Sequence, residues 1–190
     1  MKYQSNIDNV MDNLVLKLES LKETSPVLRE IAISLATSNN RRIHNEGKNV
    51  RETQIGKYST TPTLIGAKSF RKKSTANKVL GSKKKRSELK WRKVKGKSLA
   101  ILPGGYKQIR DLDGDETSYV NLSRTGKLSK EFQAAKIPGG WGVGFTTSYG
   151  GDLRKYLEQK YGQVWGITSS DQKYIDETLS KEIKKKFKKR

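Results

Sequence analysis

The sequence predicts an α+β fold: N-terminal helices, an antiparallel sheet or small barrel, and a C-terminal helix, interrupted by a long basic loop insertion. Three observations carry this expectation. Apolar residues recur at three- and four-residue steps near both ends of the chain. The period changes to two between residues 98 and 146. The stretch 68–97, between these regimes, holds fourteen Lys/Arg against Glu88 alone. A chain of 190 residues fits one domain. Within it helices are expected over 1–45, the basic insertion over 66–97, the β-rich body over 98–168 and a basic helix over 169–190.

The first helical stripe is Ile7, Val10, Met11, Leu14, Leu18 and Leu21, spanning about Ser5 to Lys22. Ser25-Pro26 then supplies an N-cap followed by proline at the first helical position, and Leu28, Ile31, Ala32, Leu35 and Ala36 continue to about Ile43. This is a second helix, or the same one kinked near Pro26, and Gly47 closes it. Residues 47–62 are polar and read as loop. The stretch 68–97 contains few large apolar residues (Phe70, Val79, Leu80, Leu89, Trp91, Val94) and so buries too little to offset its ordering entropy, which predicts a flexible loop.

Beyond it, Ser98–Leu102 is a strand ended by Pro103-Gly104-Gly105, with Tyr106–Arg110 as its candidate partner. Asp111–Asp115 reads as a hairpin turn, and Ser118–Leu122 and Lys130–Ala135 as extended. After a Pro138-Gly139-Gly140 turn, Trp141, Val143 and Phe145 alternate with Gly142, Gly144 and Thr146, placing bulk on one face and leaving the other open to a close backbone approach. Gly151-Asp152 offers the N-cap of a short helix carrying Leu153, Tyr156 and Leu157. Thr168-Ser169-Ser170-Asp171 matches the capping-box signal, and Ile175, Leu179, Ile183 and Phe187 make the last helix, whose basic end complements the helix dipole.

Charge narrows the function classes. Forty Lys/Arg against nineteen Asp/Glu give a net +21, unevenly spread: residues 1–40 carry −1, 41–110 carry +18, 111–180 carry −2 and 181–190 carry +6. The body is therefore near neutral, and the excess belongs to one segment and one tail. With no cysteine and one histidine, His44, thiolate metal sites, disulfides, cysteine nucleophiles and multi-histidine sites are excluded. No apolar run of about 18 residues marks a membrane span, and the polar N-terminus lacks the apolar core of a secretory signal, so the cytoplasm is the expected site of synthesis and assembly.

Gly96-Lys97-Ser98 resembles the end of a phosphate-binding loop, but Trp91 stands where its first glycine is required. Asp111–Asp115 resembles a calcium loop, but Glu116 and Leu122 replace the glycine and glutamate that loop needs. The glycines of 140–144 are no dinucleotide fingerprint, since no βαβ unit surrounds them. His44, beside Arg41 and Arg42, has a structural or solvated role. No catalytic, metal or cofactor site is expected, and the protein is read as a non-enzyme. The positive candidates are the cations Arg71, Lys72, Lys73, Lys83, Lys84, Lys85, Arg86, Lys90, Arg92 and Lys93, which suit phosphates or an acidic protein neighbour equally; Phe70 and Trp91 are available to stack on bases.

Several strings resemble the phage virion-morphogenesis or tail-completion family, the small head–tail connector (neck) proteins of tailed bacteriophages. They are Arg41-Arg42-Ile43-His44-Asn45-Glu46-Gly47, then Ile55-Gly56-Lys57-Tyr58-Ser59, then Asn121-Leu122-Ser123-Arg124-Thr125-Gly126-Lys127-Leu128, whose Leu122, Thr125, Gly126 and Leu128 match the family's Thr-Gly turn. Gly142-Val143-Gly144, Tyr149, Leu157-Glu158 and Trp165-Gly166-Ile167-Thr168 follow in the family's order, so the likeness spans about three quarters of the chain. The basic stretch is longer than the family's linker there, and the Pro-x-Arg that often precedes its last helix is absent. The resemblance implies a structural virion protein forming a six- or twelve-fold homo-oligomeric ring between portal or adaptor and tail proteins, near packaged DNA and without a membrane. The alternative is a non-specific nucleic-acid-binding protein that uses residues 68–97.

Overall fold

The structure, a computed structural model, describes residues 25–188. The helix expected over Ser5–Lys22 lies outside them. The described elements mix helices with two antiparallel sheets, an α+β fold, and no barrel closes among them.

Helix α1 (Ser25–Asn40) turns Ile31, Ala32, Leu35 and Ala36 inward, as their spacing requires, and ends in one wider π turn over Arg41–Asn45. The three-stranded sheet has the order β1 (Thr63–Ile65), β3 (Lys97–Leu102), β2 (Lys90–Val94). Ile65, Ala100 and Trp91 sit opposite one another across it.

The stretch expected to be a flexible loop is folded. Between β1 and β2 run short helices α2 (Lys73–Ala76) and α3 (Lys83–Glu88), joined by a π turn over Asn77–Gly81. The reason is that its few apolar residues converge. Phe70, Ala76 and Val79 are buried with Ile65, Ala100, Leu102 and Ile109, while Leu80, Leu89 and Trp91 pack around them. A count within the segment misses the half of that core contributed from outside it.

Tyr106–Arg110 is likewise helix rather than strand, within α4 (Gly105–Asp113), and β1 and β2 take the pairing positions expected of it. Asp111–Asp113 is the last turn of α4, stopped by left-handed Gly114, so no hairpin turn forms there. Ser118–Leu122 pairs in neither sheet; fully buried Val120 donates its N–H to Gly56 O at 3.2 Å instead. Lys130 and Glu131 end helix α5 (Lys127–Glu131), and the strand begins at Phe132.

The second sheet is the hairpin β4 (Phe132–Ile137) and β5 (Gly140–Phe145), over which α1 packs. Among the described residues the glycine face of β5 receives no other backbone: a Cβ at Gly144 would meet nothing within 4 Å, and one at Gly142 would meet the Ile137 side chain. Helix α6 (Ser148–Tyr161) starts earlier than Gly151-Asp152 suggests, because the Thr147 hydroxyl caps it by accepting Gly150 N–H at 3.1 Å. Helix α7 (Ser169–Lys188) opens on the expected capping box. Asp171 N–H donates to Thr168 Oγ1 at 3.1 Å and Thr168 N–H to Asp171 Oδ2 at 3.0 Å. Ser38 of α1 also donates to Asp171 Oδ1 at 2.8 Å, docking the two helices.

Candidate polyanion interface

The basic module is held to the body through Asp113, which is 1% exposed at the end of α4. Its Oδ2 accepts the Arg71 backbone N–H at 2.7 Å and its Oδ1 that of Lys72 at 3.4 Å, just before α2 begins. The Arg71 guanidinium pairs with Asp115 at 2.7 Å, and Arg124 reaches Asp113 Oδ2 at 3.4 Å and the carbonyl of Ser69. Arg71 is thus an anchor of the module rather than a free cation.

Trp91 ties α3 to the sheet. Its Nε1–H donates to Arg86 O at 2.9 Å, and the Arg86 guanidinium lies 4.9 Å from its ring centre. Half-buried Trp91 and buried Phe70 are therefore committed to packing, and neither is an open platform for a base. The remaining cations divide by position. Lys72 and Lys73 are exposed at the start of α2, and Lys83 and Lys84 at the start of α3, where Lys85 lies next in sequence. On β2, Lys90 opposes Ile101 and Arg92 opposes Leu99, on the face turned away from Ala100 and the core. Lys93 opposes Ser98 on the other face, beyond the core's end. Lys83, Lys84, Lys90, Arg92 and Lys93 are exposed and enter none of the ion pairs among the described residues. Long, unpaired cations on a rigid hairpin and helix suit phosphate oxygens, each contact releasing counterions.

The Thr-Gly turn covers another core, of Ile43, Ile55, Tyr58, Val120, Leu128, Phe132, Val164 and Trp165. Asn121 organises it. Its Oδ1 accepts from Tyr58 Oη at 2.9 Å, Arg110 Nη2 at 3.1 Å and Ser123 N–H at 3.0 Å. Its carbonyl meets His44 Nδ1 at 2.8 Å. Burial pushes the His44 pKa down, against the opposing effect of that bond, so the neutral ring donates there. Burial likewise raises the Tyr58 hydroxyl, which stays protonated as Asn121's donor. Leu128 enters the core beside Ile43, Ile55, Tyr58, Phe132, Val164 and Trp165.

The other end of that core is closed by Arg42. It donates to Lys48 O and Val164 O, both at 3.1 Å, and to Asn39 Oδ1 at 2.8 Å, its pKa lowered mainly by burial. Glu158 Oε1 holds the same segment by accepting from Val164 and Trp165 N–H at 3.2 and 3.1 Å. No family model, curated protein or solved structure matches this chain. No cluster of three or more His, Asp or Glu placed to hold a metal occurs among the described residues, and no described helix is long and apolar enough to cross a membrane. Asn121, Arg110 and Asp113 were not among the sequence candidates; lone polar residues inside mixed stretches carry no local signal of burial.

Proposed function

We propose that this protein is a structural component of a bacteriophage head–tail connector, a neck or tail-completion protein that forms a ring between portal and tail. In this reading the basic module faces packaged DNA or an acidic neighbour. The observation that carries the proposal is a convergence. The strings 41–47, 55–59, 121–128 and 165–168, far apart in sequence, supply the residues that touch one another in one core and one buried polar network. Exposed Ile33, Ile137, Tyr149 and Ile167 add apolar surface of the kind that a neighbouring copy covers, and a heterologous contact whose rotation closes makes a ring.

The test is electron microscopy and protein quantitation of the phage particles. Six or twelve copies per virion at the head–tail junction are expected. Absence from finished particles, with no ring in any assembly intermediate, overturns the reading.

A second reading, a free nucleic-acid-binding protein, is favoured by the five unpaired cations of α3 and β2. It predicts tight binding of the isolated protein to duplex DNA with a steep salt dependence. Virions assembled normally without the protein would favour this reading over the first.

A further inference from the structure

A second surface adjoins the Thr-Gly turn. Between α4, the 121–126 turn, α5 and α6 opens a cleft of about 350 Å³, near the lower end of the ~300–1,000 Å³ range of ligand pockets. Leu122, Leu153 and Leu157 line it with the rings of Tyr149 and Tyr161, and Arg110, Arg124 and Lys127 also face it. No Asp or Glu belongs to its wall.

Three features distinguish it from a packing defect. First, Arg110 is 2% exposed, yet all its bonds run to neutral oxygens: Glu116 O at 2.9 Å, Ser123 O at 2.7 Å and Asn121 Oδ1 at 3.1 Å. No carboxylate among the described residues lies within ion-pair distance of it. The nearest acid to act on it, Glu116, is exposed to solvent and beyond ion-pair distance, so the guanidinium leaves a positive potential in the adjoining space. Second, Leu122 holds φ +49°, a left-handed conformation that strains a bulky residue, and it lines the cleft in that state. Third, Tyr149 is 55% exposed at the wall, with the Lys127 ammonium 4.3 Å from its ring centre.

We propose that this cleft binds an extended peptide segment of a partner protein, in which an aliphatic or aromatic side chain is flanked by Asp or Glu. The apolar residue would fill the space between the leucines, and the carboxylate would approach Arg110 and Lys127. A single-stranded nucleic acid suits the cleft less well, because the tyrosines already carry cations. Arg110 lies 4.4 Å from the Tyr58 ring centre, Arg124 5.5 Å from Tyr106, Lys127 4.3 Å from Tyr149 and Lys160 5.1 Å from Tyr161. Each occupies a face that a base would need. The inference goes beyond the neck reading and stands without it.

The experiment is selection from a displayed dodecapeptide library on the intact protein, followed by titration of the best synthetic peptide. Enrichment of sequences with Asp or Glu beside Leu, Ile or Phe is expected. Replacing the peptide's acids by their amides should weaken binding about tenfold. Tyr149→Ala and Lys127→Ala, both at exposed side chains, should each weaken it about fivefold while the melting temperature holds. Arg110→Gln should abolish it, and the two exposed variants keep the test decisive if that substitution unfolds the chain. Selected sequences without an acidic preference, binding unaffected by Tyr149→Ala and Lys127→Ala, or an oligonucleotide that competes at this cleft more strongly than the peptide would each overturn the proposal.

Discussion

At the level of single residues, two positions translate geometry into measurable stability. Gly105 opens α4 at φ +60°, and a Cβ there would lie 2.3 Å from Thr61 O and 2.8 Å from Ser59 O. Both are backbone atoms, which move only if the loop before β1 moves. Gly96, in the β2–β3 turn, has φ +75° with nothing within 4 Å of a built Cβ. Gly96→Ala should therefore cost about 1 kcal/mol, the intrinsic left-handed penalty. Gly105→Ala should cost more than about 2 kcal/mol, since the clash adds to that penalty. Urea unfolding of both variants separates strain from collision, and equal losses would show that the loop yields freely.

His44 sets a pH dependence whose sign follows from its burial. Its folded pKa is lowered from an unfolded value of about 6.5, so below that value the unfolded chain binds the extra proton. The contribution is complete above about pH 6.5 and declines as the pH falls toward the lowered folded value. His44→Gln keeps a donor for Asn121 O and removes the titration. The stability gap between wild type and this variant should move in the variant's favour between pH 7 and pH 5. A constant gap would mean that His44 titrates normally in the folded protein. In the sequence His44 was legible only as a histidine near a helix end, because its partner, Asn121, is 77 residues away.

At the level of elements, local signals were legible where the chemistry itself is local. The Thr168–Asp171 box announced α7, and the alternation of Trp141, Val143 and Phe145 announced β5, because caps and pleats need only their immediate neighbours. Signals failed where the partner is remote. The basic stretch carries half a core, and its other half comes from β1, β3 and α4. Asp171 illustrates both cases, capping α7 and receiving Ser38 from α1. Thr168→Ala should cost about 1 kcal/mol, an ordinary cap loss, and Asp171→Ala distinctly more, since it also removes the inter-helix bond. Thermal melts of the pair provide the comparison.

The cations divide in the same way. Replacing Lys83, Lys84, Lys90, Arg92 and Lys93 with Gln should leave the melting temperature within a degree or two in 150 mM NaCl, where their mutual repulsion is screened. Each phosphate contact thereby lost should flatten the log–log salt slope of DNA binding by about 0.9. Arg71→Gln should do the reverse, lowering stability with little change in slope, because its guanidinium already serves Asp115. A slope unmoved by the five-fold variant would place the polyanion contact elsewhere.

At the level of the whole molecule, the two cores are one structure. Tyr106 packs against both, and Arg124 spans from Tyr106 Oη at 3.2 Å to Asp113, the residue that holds the basic module. Residues 68–97 are consequently no detachable appendage. Removing them would strip Phe70, Val79 and Trp91 from around Ala100 and Ile109, so charge substitutions rather than deletion are the proper probe of this region.

The same unity makes the net charge of +21 a property that the folded state must bear. Like charges brought together on folding repel, and salt screens them over a Debye length of about 10 Å at 0.1 M. The free protein should therefore melt at a higher temperature in 150 mM NaCl than in 10 mM, although its surface ion pairs are weakened by the same screening. The unpaired cations of α3 and β2 outweigh those few exposed pairs, and this imbalance decides the sign. With a bound polyanion the sign reverses. The stabilisation then depends on contacts that salt dissolves, so adding NaCl to the complex should lower its melting temperature toward that of the free protein. Melting curves across 10–300 mM NaCl, with and without a short DNA duplex, would trace the two opposite slopes. Parallel curves would mean that duplex DNA does not occupy the basic module.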